Sequence, residues 1–554
     1  MKTIQYVKGI TFESDTIYKG TEQRYDFYLS DVLEILDEDV FVDANVRSRT
    51  AKVAFYIRGI ENTVIDFGGA TLVFHGRIVP FILRDCKNVK LMNFKVDYDR
   101  PFYTQADVIS ASSSELEVKI SQGFDYYTEN GYLYVKGNGW EKNLNKDDCL
   151  LWLYDKKKEK HYEIILGLFG EEIYPSENPP LPIRQLHLEK RGENLIIKGE
   201  FPESWESNDG NNVLLITHEL RDKAVITLLD CEDICIKDIT VVYGASMAMI
   251  AMNSRSIEIE RFDFRQNYNG NGRYVSNNAD GIHTYNCGGK IVIRNCYMEG
   301  LLDDYINIHN NYLLVESIQG DEAHVQSPGA AIGIQCPVIA EGQEIAAYNQ
   351  RTIEEKDRYR IVNLKVDKEQ KVYVLNLDKK PENLVAGDVL ENMSSQPEIL
   401  IQDCYFGNIR GLMHLQSSGK TILENCIFDN PDIALLFTGD MNYWFESGPV
   451  KDFTVRNCRF YYTKTFPRFD FRCEVGFTEE KNYYHQNITV ENCQFYGCSE
   501  GDTTVAILRH VDNFVFKNNE SDGSLQIQAI HCGRIEADCK VINGDRQGAG
   551  TLWI

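Results

Sequence analysis

Short runs of alternating apolar and polar residues, each ended by Asn, Asp or Gly, recur along most of this chain. Period-two alternation over so few residues reads as strand. The clearest case lies near the C-terminus. Asp403-Cys404-Tyr405-Phe406 returns 22 residues on (425 − 403) as Asn425-Cys426-Ile427-Phe428. It returns again as Asn457-Cys458-Arg459-Phe460 and Asn492-Cys493-Gln494-Phe495, and Asn518-Asn519 continues it. Strands repeating at a little over twenty residues are the coils of a parallel β-helix, whose neighbours bury a common core by stacking. Further rungs are predicted at 63–69, 88–97, 224–229, 234–239 and 256–262.

The repeat is interrupted twice. Residues 102–221 carry longer, strictly alternating strands, such as 115–120 and 185–188, and residues 312–396 do the same at 359–366 and 371–377. One apolar and one polar face is the pattern of antiparallel sheet or a small barrel. The predicted fold is therefore all-β: a right-handed parallel β-helix (1–101, 222–311 and 397–554) with two inserted antiparallel β-barrel-like domains (102–221 and 312–396). Residues 31–36 read either as one early helical turn or as a cap on the first rung. No long helix is signalled.

Composition narrows the function. The net charge of −25, from 58 basic and 83 acidic residues, disfavours nucleic acid, anionic membranes and polyuronate substrates, all of which it would repel. Neutral sugars remain compatible with it. No apolar run reaches the 18 or so residues of a membrane span. The opening MKTIQYVKGITFESD lacks an apolar signal region, so the expected compartment is the cytoplasm, or the periplasm or exterior if a signal has been removed. The 15 cysteines form no CxxC pair. Cys296, Cys404, Cys426, Cys458 and Cys493 each close an Asn-Cys or Asp-Cys dipeptide after an apolar strand, which predicts an inward stack of buried thiols rather than disulfides or a metal site.

The stretch from Asn278 to His309 carries the candidate chemistry. Asp280 lies in an Asp-Gly turn, and the pair Asp303-Asp304 follows 23 and 24 residues later (303 − 280, 304 − 280), across a short strand. That distance is one coil, so the three carboxylates are expected on adjacent rungs. Rungs about 4.8 Å apart make diagonal carboxyl separations of about 6–9 Å reachable, the spacing of an inverting glycosidase. A lone Asp-Gly is ordinarily a turn. An adjacent acidic pair is different, because like charges oppose ionisation and drive one pKa up. Calcium is the competing reading, but it takes six to eight oxygens in a compact loop, and no such loop is seen. No metal or other cofactor is expected. His283 and His309 lie on the same rungs and are read as hydrogen-bonding a sugar. Arg410 is read evenly as an ion-pair partner or a substrate donor. Trp444 suits a stacking platform for a sugar face, and Glu446 beside it a hydroxyl ligand. The glycine-rich 269–273 segment lacks the strand-to-helix setting of a nucleotide motif and reads as a flexible cleft lip.

Asn278-Ala279-Asp280-Gly281, a following Asp-Asp pair and a downstream His resemble the polygalacturonases of glycoside hydrolase family 28. A closer resemblance is to glycoside hydrolase family 110, the exo-acting α-1,3-galactosidases. It rests on Asp280-Gly281-Ile282-His283, Gly288, Asn295-Cys296, Asp303-Asp304, Ile306-Asn307-Ile308-His309, Asn408-Ile409-Arg410-Gly411-Leu412, the loop Gly439-Asp440-Met441-Asn442-Tyr443-Trp444-Phe445-Glu446-Ser447-Gly448, and Asp97-Tyr98-Asp99-Arg100-Pro101. Two departures are Tyr305, where a small residue is expected after the Asp pair, and a single Arg before Gly411. The resemblance implies an inverting exo-α-galactosidase acting on terminal α-1,3-linked galactose of branched blood-group-B-type or linear termini, with no cofactor. It implies Asp303 as general acid and Asp280 and Asp304 as shared base, the two neighbours being exchangeable. It also implies His283, Asn307, His309, Arg410, Asp440, Trp444 and Glu446 as substrate-binding residues. Expected partners are galactose-terminated glycans; a homodimer is allowed. Two alternatives are a β-helix hydrolase of another glycan and a non-enzymatic glycan-binding β-helix.

Overall fold

The computed structural model of the chain describes residues 1–36, 50–144, 149–157, 160–161, 165–169, 183–206, 210–218, 224–328, 338–367, 372–407, 412–429, 433–442, 444–461, 468–473, 482–498 and 504–543. Its core is a right-handed parallel β-helix, with no α-helix among the described residues. One face stacks Glu61–His75, Lys87–Tyr98, Glu232–Val241, Arg255–Phe264 and Gly288–Arg294 in parallel, then continues through Glu398–Gln402 and Thr421–Glu424 to Val511–Lys517. A second face stacks Thr50–Arg58, Val79–Arg84, Ile226–Leu229, Met249–Met252, Ile282–Tyr285, Ile306–Asn311 and Met413–Leu415.

The Asn and Asp of the repeat turn the coil. Asn295, Asp403, Asn425, Asn457, Asn492 and Asn518 all sit at φ between +54° and +57°, the left-handed region these residues tolerate best. Their side chains also bond along the stack, Asn425 Nδ2 donating to Asp403 Oδ1 at 3.1 Å. Inside the corner, Cys296, Cys404, Cys426, Cys458 and Cys493 are all buried. Beside them Phe406, Phe428, Phe460 and Phe495 stack at 5.1, 4.9 and 5.1 Å between ring centroids. From Asp403 to Phe495 the repeat is thus a turn residue, a thiol and a ring placed one above another on successive coils.

Every described cysteine is a free thiol. Reducing agent should therefore leave the melting temperature and any activity unchanged. A large loss on reduction, read by thermal melting with and without dithiothreitol, would reveal disulfides that this packing does not use.

Both insertions close on themselves. In the first, the Cys149–Asp155 strand pairs with Asn212–Thr217, joining the two sides of an otherwise open eight-stranded sheet. The second is a closed six-stranded barrel formed by Leu313–Gln319, Glu322–Gln326, Glu344–Tyr348, Glu355–Asp367, Val372–Leu377 and Val389–Asn392. The stack continues in register across it: Ile306 pairs with Met413 and Lys290 with Glu398.

Of the two readings of residues 31–36, the cap on the first rung holds and the helical turn does not: Leu33–Leu36 is a strand, antiparallel to Thr50–Arg58. The first rung offers an open row of backbone donors and acceptors, and such an edge favours pairing over a lone helical turn. The glycine-rich lip, expected to be flexible, is not loose: Arg273 forms an ion pair with Asp97 at 2.6 Å, and Gly272 is held at both ends, its N–H by Asn267 and its carbonyl by Gln105.

Candidate active site

The second face presents the site. Along it, every other residue points inward and is apolar, as in the column Phe81, Ile226, Met249, Ile282, Ile306 and Met413. The next column points outward and changes character along the helix: Ile82, Thr227 and Ile250, then His283, Asn307 and His414. A polar row on a buried face is costly unless its groups are used, which marks these three rungs.

Asp280, Asp303 and Asp304 meet at the entrance to the same rungs, one oxygen of each within 4.8 Å of the others. Since Ile282 pairs with Ile306, the residues two places upstream, Asp280 and Asp304, are level rather than diagonal, one rung apart. Gly281 N–H donates to the Asp304 carbonyl at 2.9 Å and fixes that alignment. Gly281 is required by close approach and not by a turn conformation: a Cβ there would lie 2.7 Å from the Tyr305 carbonyl oxygen. Tyr305 is accommodated because its ring points into the coil, against Phe406.

Crowding shows in the electrostatics. Burial, then the charges of Asp303 and Asp280, push the Asp304 carboxyl well above the usual carboxylate range. The Leu412 amide donates to its Oδ1 at 3.1 Å, and His414 Nε2 stands 3.5 Å from its Oδ2. Burial pushes Glu446 up to about 7 and His414 down to about 4. Three such carboxylates can share protons and grip a water, or hold a cation with further oxygen ligands.

The histidines form a chain. His309 Nδ1–H donates to the Asn310 carbonyl at 2.6 Å, which leaves its Nε2 as an acceptor. Burial holds His309 well below the ordinary imidazole range and keeps it neutral. His283 Nε2–H then donates to it at 3.0 Å, while His283 Nδ1 meets Asp280 Oδ2 at 2.6 Å. Both nitrogens of His283 are thus used within the protein, and the sugar contact expected of it is replaced by an orienting contact on Asp280. Asn307 stands between His283 and His414 and reaches Glu446.

The loop of 439–448 closes the site from above. Asp440, expected to touch substrate, is buried and caps the loop instead, accepting from Asn442 N–H at 2.7 Å and from Trp444 N–H. Glu446–Ser447 pairs antiparallel with Asn310 and Asn311, bringing Glu446 Oε1 to 3.6 Å from His309 Nε2. Trp444 remains half-buried at the rim. Trp444→Ala should raise KM about tenfold with little change in kcat, as expected for stacking that binds ground and transition states alike. Initial rates over a substrate series decide this, and an effect confined to kcat would remove Trp444 from the binding rim. Arg410 lies outside the described residues.

His414 was not singled out from the sequence, although a signal was there. Ile282-His283-Thr284-Tyr285, Ile306-Asn307-Ile308-His309 and Met413-His414-Leu415-Gln416 share one alternation, and the third follows the barrel at the next rung.

The family described as a right-handed β-helix region matches residues 387–524. The chain is 28% identical over 521 residues to α-1,3-galactosidase A of Shewanella woodyi, covering 90% of this chain and 80% of that protein. It is 28% identical over 536 residues to α-1,3-galactosidase B of Bacteroides thetaiotaomicron, covering 92% and 81%. The resemblance read from the sequence thus extends over nearly the whole chain. A family 28 exopolygalacturonase from Yersinia enterocolitica aligns over 93% of this chain and 79% of that one, at 9% identity and a TM-score of 0.28, too low to carry an argument.

Proposed function

We propose that this chain is an exo-acting, inverting glycoside hydrolase that releases terminal α-1,3-linked galactose from oligosaccharides or glycoconjugates, whether branched B-type or linear. The observation that carries the reading is the convergence of Asp280, Asp303 and Asp304 beneath a row of His and Asn and a Trp-bearing loop. The α-1,3-galactosidases similar to it over nine-tenths of its length support the choice of linkage.

In this mechanism Asp303 protonates the departing oxygen while Asp280 and Asp304, level on adjacent rungs, hold and deprotonate one water on the opposite face of the ring. His283 orients Asp280, and the Leu412 amide orients Asp304. Glu446 and Asn307 take the sugar hydroxyls and Trp444 the apolar face, while His309, expected to bind sugar but with both nitrogens engaged by Asn310 and His283, orients His283 instead.

Inversion is supported by the number of carboxylates rather than by their distance. Their nearest oxygens are closer than the roughly 6.5–9.5 Å between carboxyls usual for inversion and nearer the roughly 5–5.5 Å of retention. Retention, however, needs one nucleophile and one acid, and gives the third carboxylate no part. Incubation with α-1,3-galactobiose, a B-type trisaccharide and polygalacturonate, followed by NMR, tests both claims. β-Galactose should be the first anomer seen, from the galactosides alone. Early α-galactose would end the two-base scheme, and cleavage of polygalacturonate would favour another glycan.

A further inference from the structure

The second inserted barrel reaches back to the catalytic rungs through one buried acid. Glu391, on Val389–Asn392, is fully buried, far from the Asp cluster in sequence and absent from the mechanism above. Its Oε1 accepts from Gln396 Nε2 at 3.0 Å. Gln396 Oε1 in turn accepts from the Ser418 amide at 2.7 Å, and Ser418 Oγ donates to the Pro449 carbonyl at 3.0 Å. The network runs from the barrel, past the rung that carries His414, to the end of the Trp444 loop.

At that end the carboxyl meets Gly448. A Cβ on Gly448 would collide with Glu391 Oε1. The glycine lets the chain lie directly on the acid just after Glu446 and Ser447 have paired with Asn311 and Asn310. Phe445 holds a φ of +57°, and its carbonyl accepts from Tyr312 N–H at 2.8 Å. A bulky residue keeps that conformation only where its surroundings fix it. The loop is therefore pinned on both sides of Glu446, by Tyr312 before it and by Glu391 after it.

From this geometry we infer that Glu391 is a positioning residue: seated under Gly448, it sets the height of Glu446 above Asp280, Asp303 and Asp304. Its effect on turnover rests on the proposed function; its effect on the loop does not. Burial, offset partly by Gln396, Lys451 and Ser447, pushes the acid up to about 7. It can thus sit neutral in this dry contact, where an ion would need a close partner.

The test uses the full chain with Glu391→Gln, Glu391→Ala and Gly448→Ala, followed by kinetics on an α-1,3-galactoside and by hydrogen exchange of the 440–449 segment. Glu391→Gln keeps the shape of the wedge and should stay within about twofold of wild type in KM and kcat. Glu391→Ala and Gly448→Ala should each raise KM about tenfold at nearly unchanged kcat, with faster exchange in 440–449 and not in the rungs. Gly448→Ala combined with Glu391→Ala should recover part of the loss, because the collision is relieved. Wild-type KM and exchange in Glu391→Ala would overturn the inference. So would faster exchange throughout the molecule with kcat and KM both impaired, which would make Glu391 a core residue only. A wild type inactive on every galactoside would overturn the function reading, and the exchange measurements would still decide the role of Glu391.

Discussion

Asp304→Asn should sharply lower turnover and yet raise the melting temperature at neutral pH. Removing one of two groups that hold the attacking water should lower kcat by about 10²–10⁴-fold, the usual contribution of general acid–base catalysis. The gain in stability comes from the same crowding. In the folded chain the Asp304 carboxyl is raised by burial and by its acidic neighbours. A group raised on folding contributes stability that is complete below its unfolded pKa and is lost as pH climbs through the folded one. Wild type should therefore weaken from about pH 4 upward, whereas the amide, with no proton to lose, should not. The difference in melting temperature should be small at pH 4 and grow with pH, to about 2 °C in a chain of this size. Melting curves across that range check it. A variant less stable than wild type at pH 7 would show that the carboxylate is stabilising and the cluster well compensated. Asp280→Asn should match it in turnover; because Asp280 also holds His283, its stability need not follow.

The second large effect separates acid from base. Asp303→Asn should cost about 10²–10⁴-fold on the natural linkage, whose leaving oxygen needs a proton. On a dinitrophenyl α-galactoside, whose leaving group needs none, the loss should be about tenfold or less. Asp304→Asn should lose equally on both. Two properties of the site pull in different directions here. Asp304 is level with Asp280, as a partner in holding water should be. It is also the carboxyl that holds its proton tightly, as an acid should. Geometry decides the expectation, since a shared water must touch both bases at once. The opposite pattern, with Asp304→Asn spared by the activated substrate, would exchange the two roles. Equal losses for every variant on both substrates would remove the acid from this trio.

Much of the fold was legible because the coil writes itself into the sequence. A left-handed corner needs Asn or Asp, the space behind it takes a thiol, and the next inward position takes a ring. That recurrence exposed the rungs and the two places where they stop. The acidic trio was legible because an Asp-Asp pair one coil from an Asp-Gly has no use in folding. Register was not legible. Corners differ in length, so a spacing of about one coil did not reveal that Asp280 and Asp304 lie level. For the same reason His414 was overlooked: its neighbours on the adjacent rung, Ile306–Asn311, come before an entire barrel in the chain. Asp440 was misread because a carboxylate bracing a loop and one awaiting a sugar look alike until the amides it accepts are seen.

The barrel between Asn311 and Met413 also sets an order in time. Chains emerge N-terminus first, and domains tend to fold as they appear. By residue 304 the three acids can already be side by side on stacked rungs. The Leu412 amide that steadies Asp304, His414 beside it and Glu446 above it come only after the barrel has been made. Holding that long excursion closed costs little more entropy than a short loop would, because the penalty grows only with the logarithm of length. What the excursion costs is delay: for the interval in which about a hundred residues are synthesised, the growing solenoid ends in an unpaired strand carrying mutually repelling charges. The nascent β-helix must therefore be held together by its apolar columns, and its active centre is completed only once the barrel lies behind it.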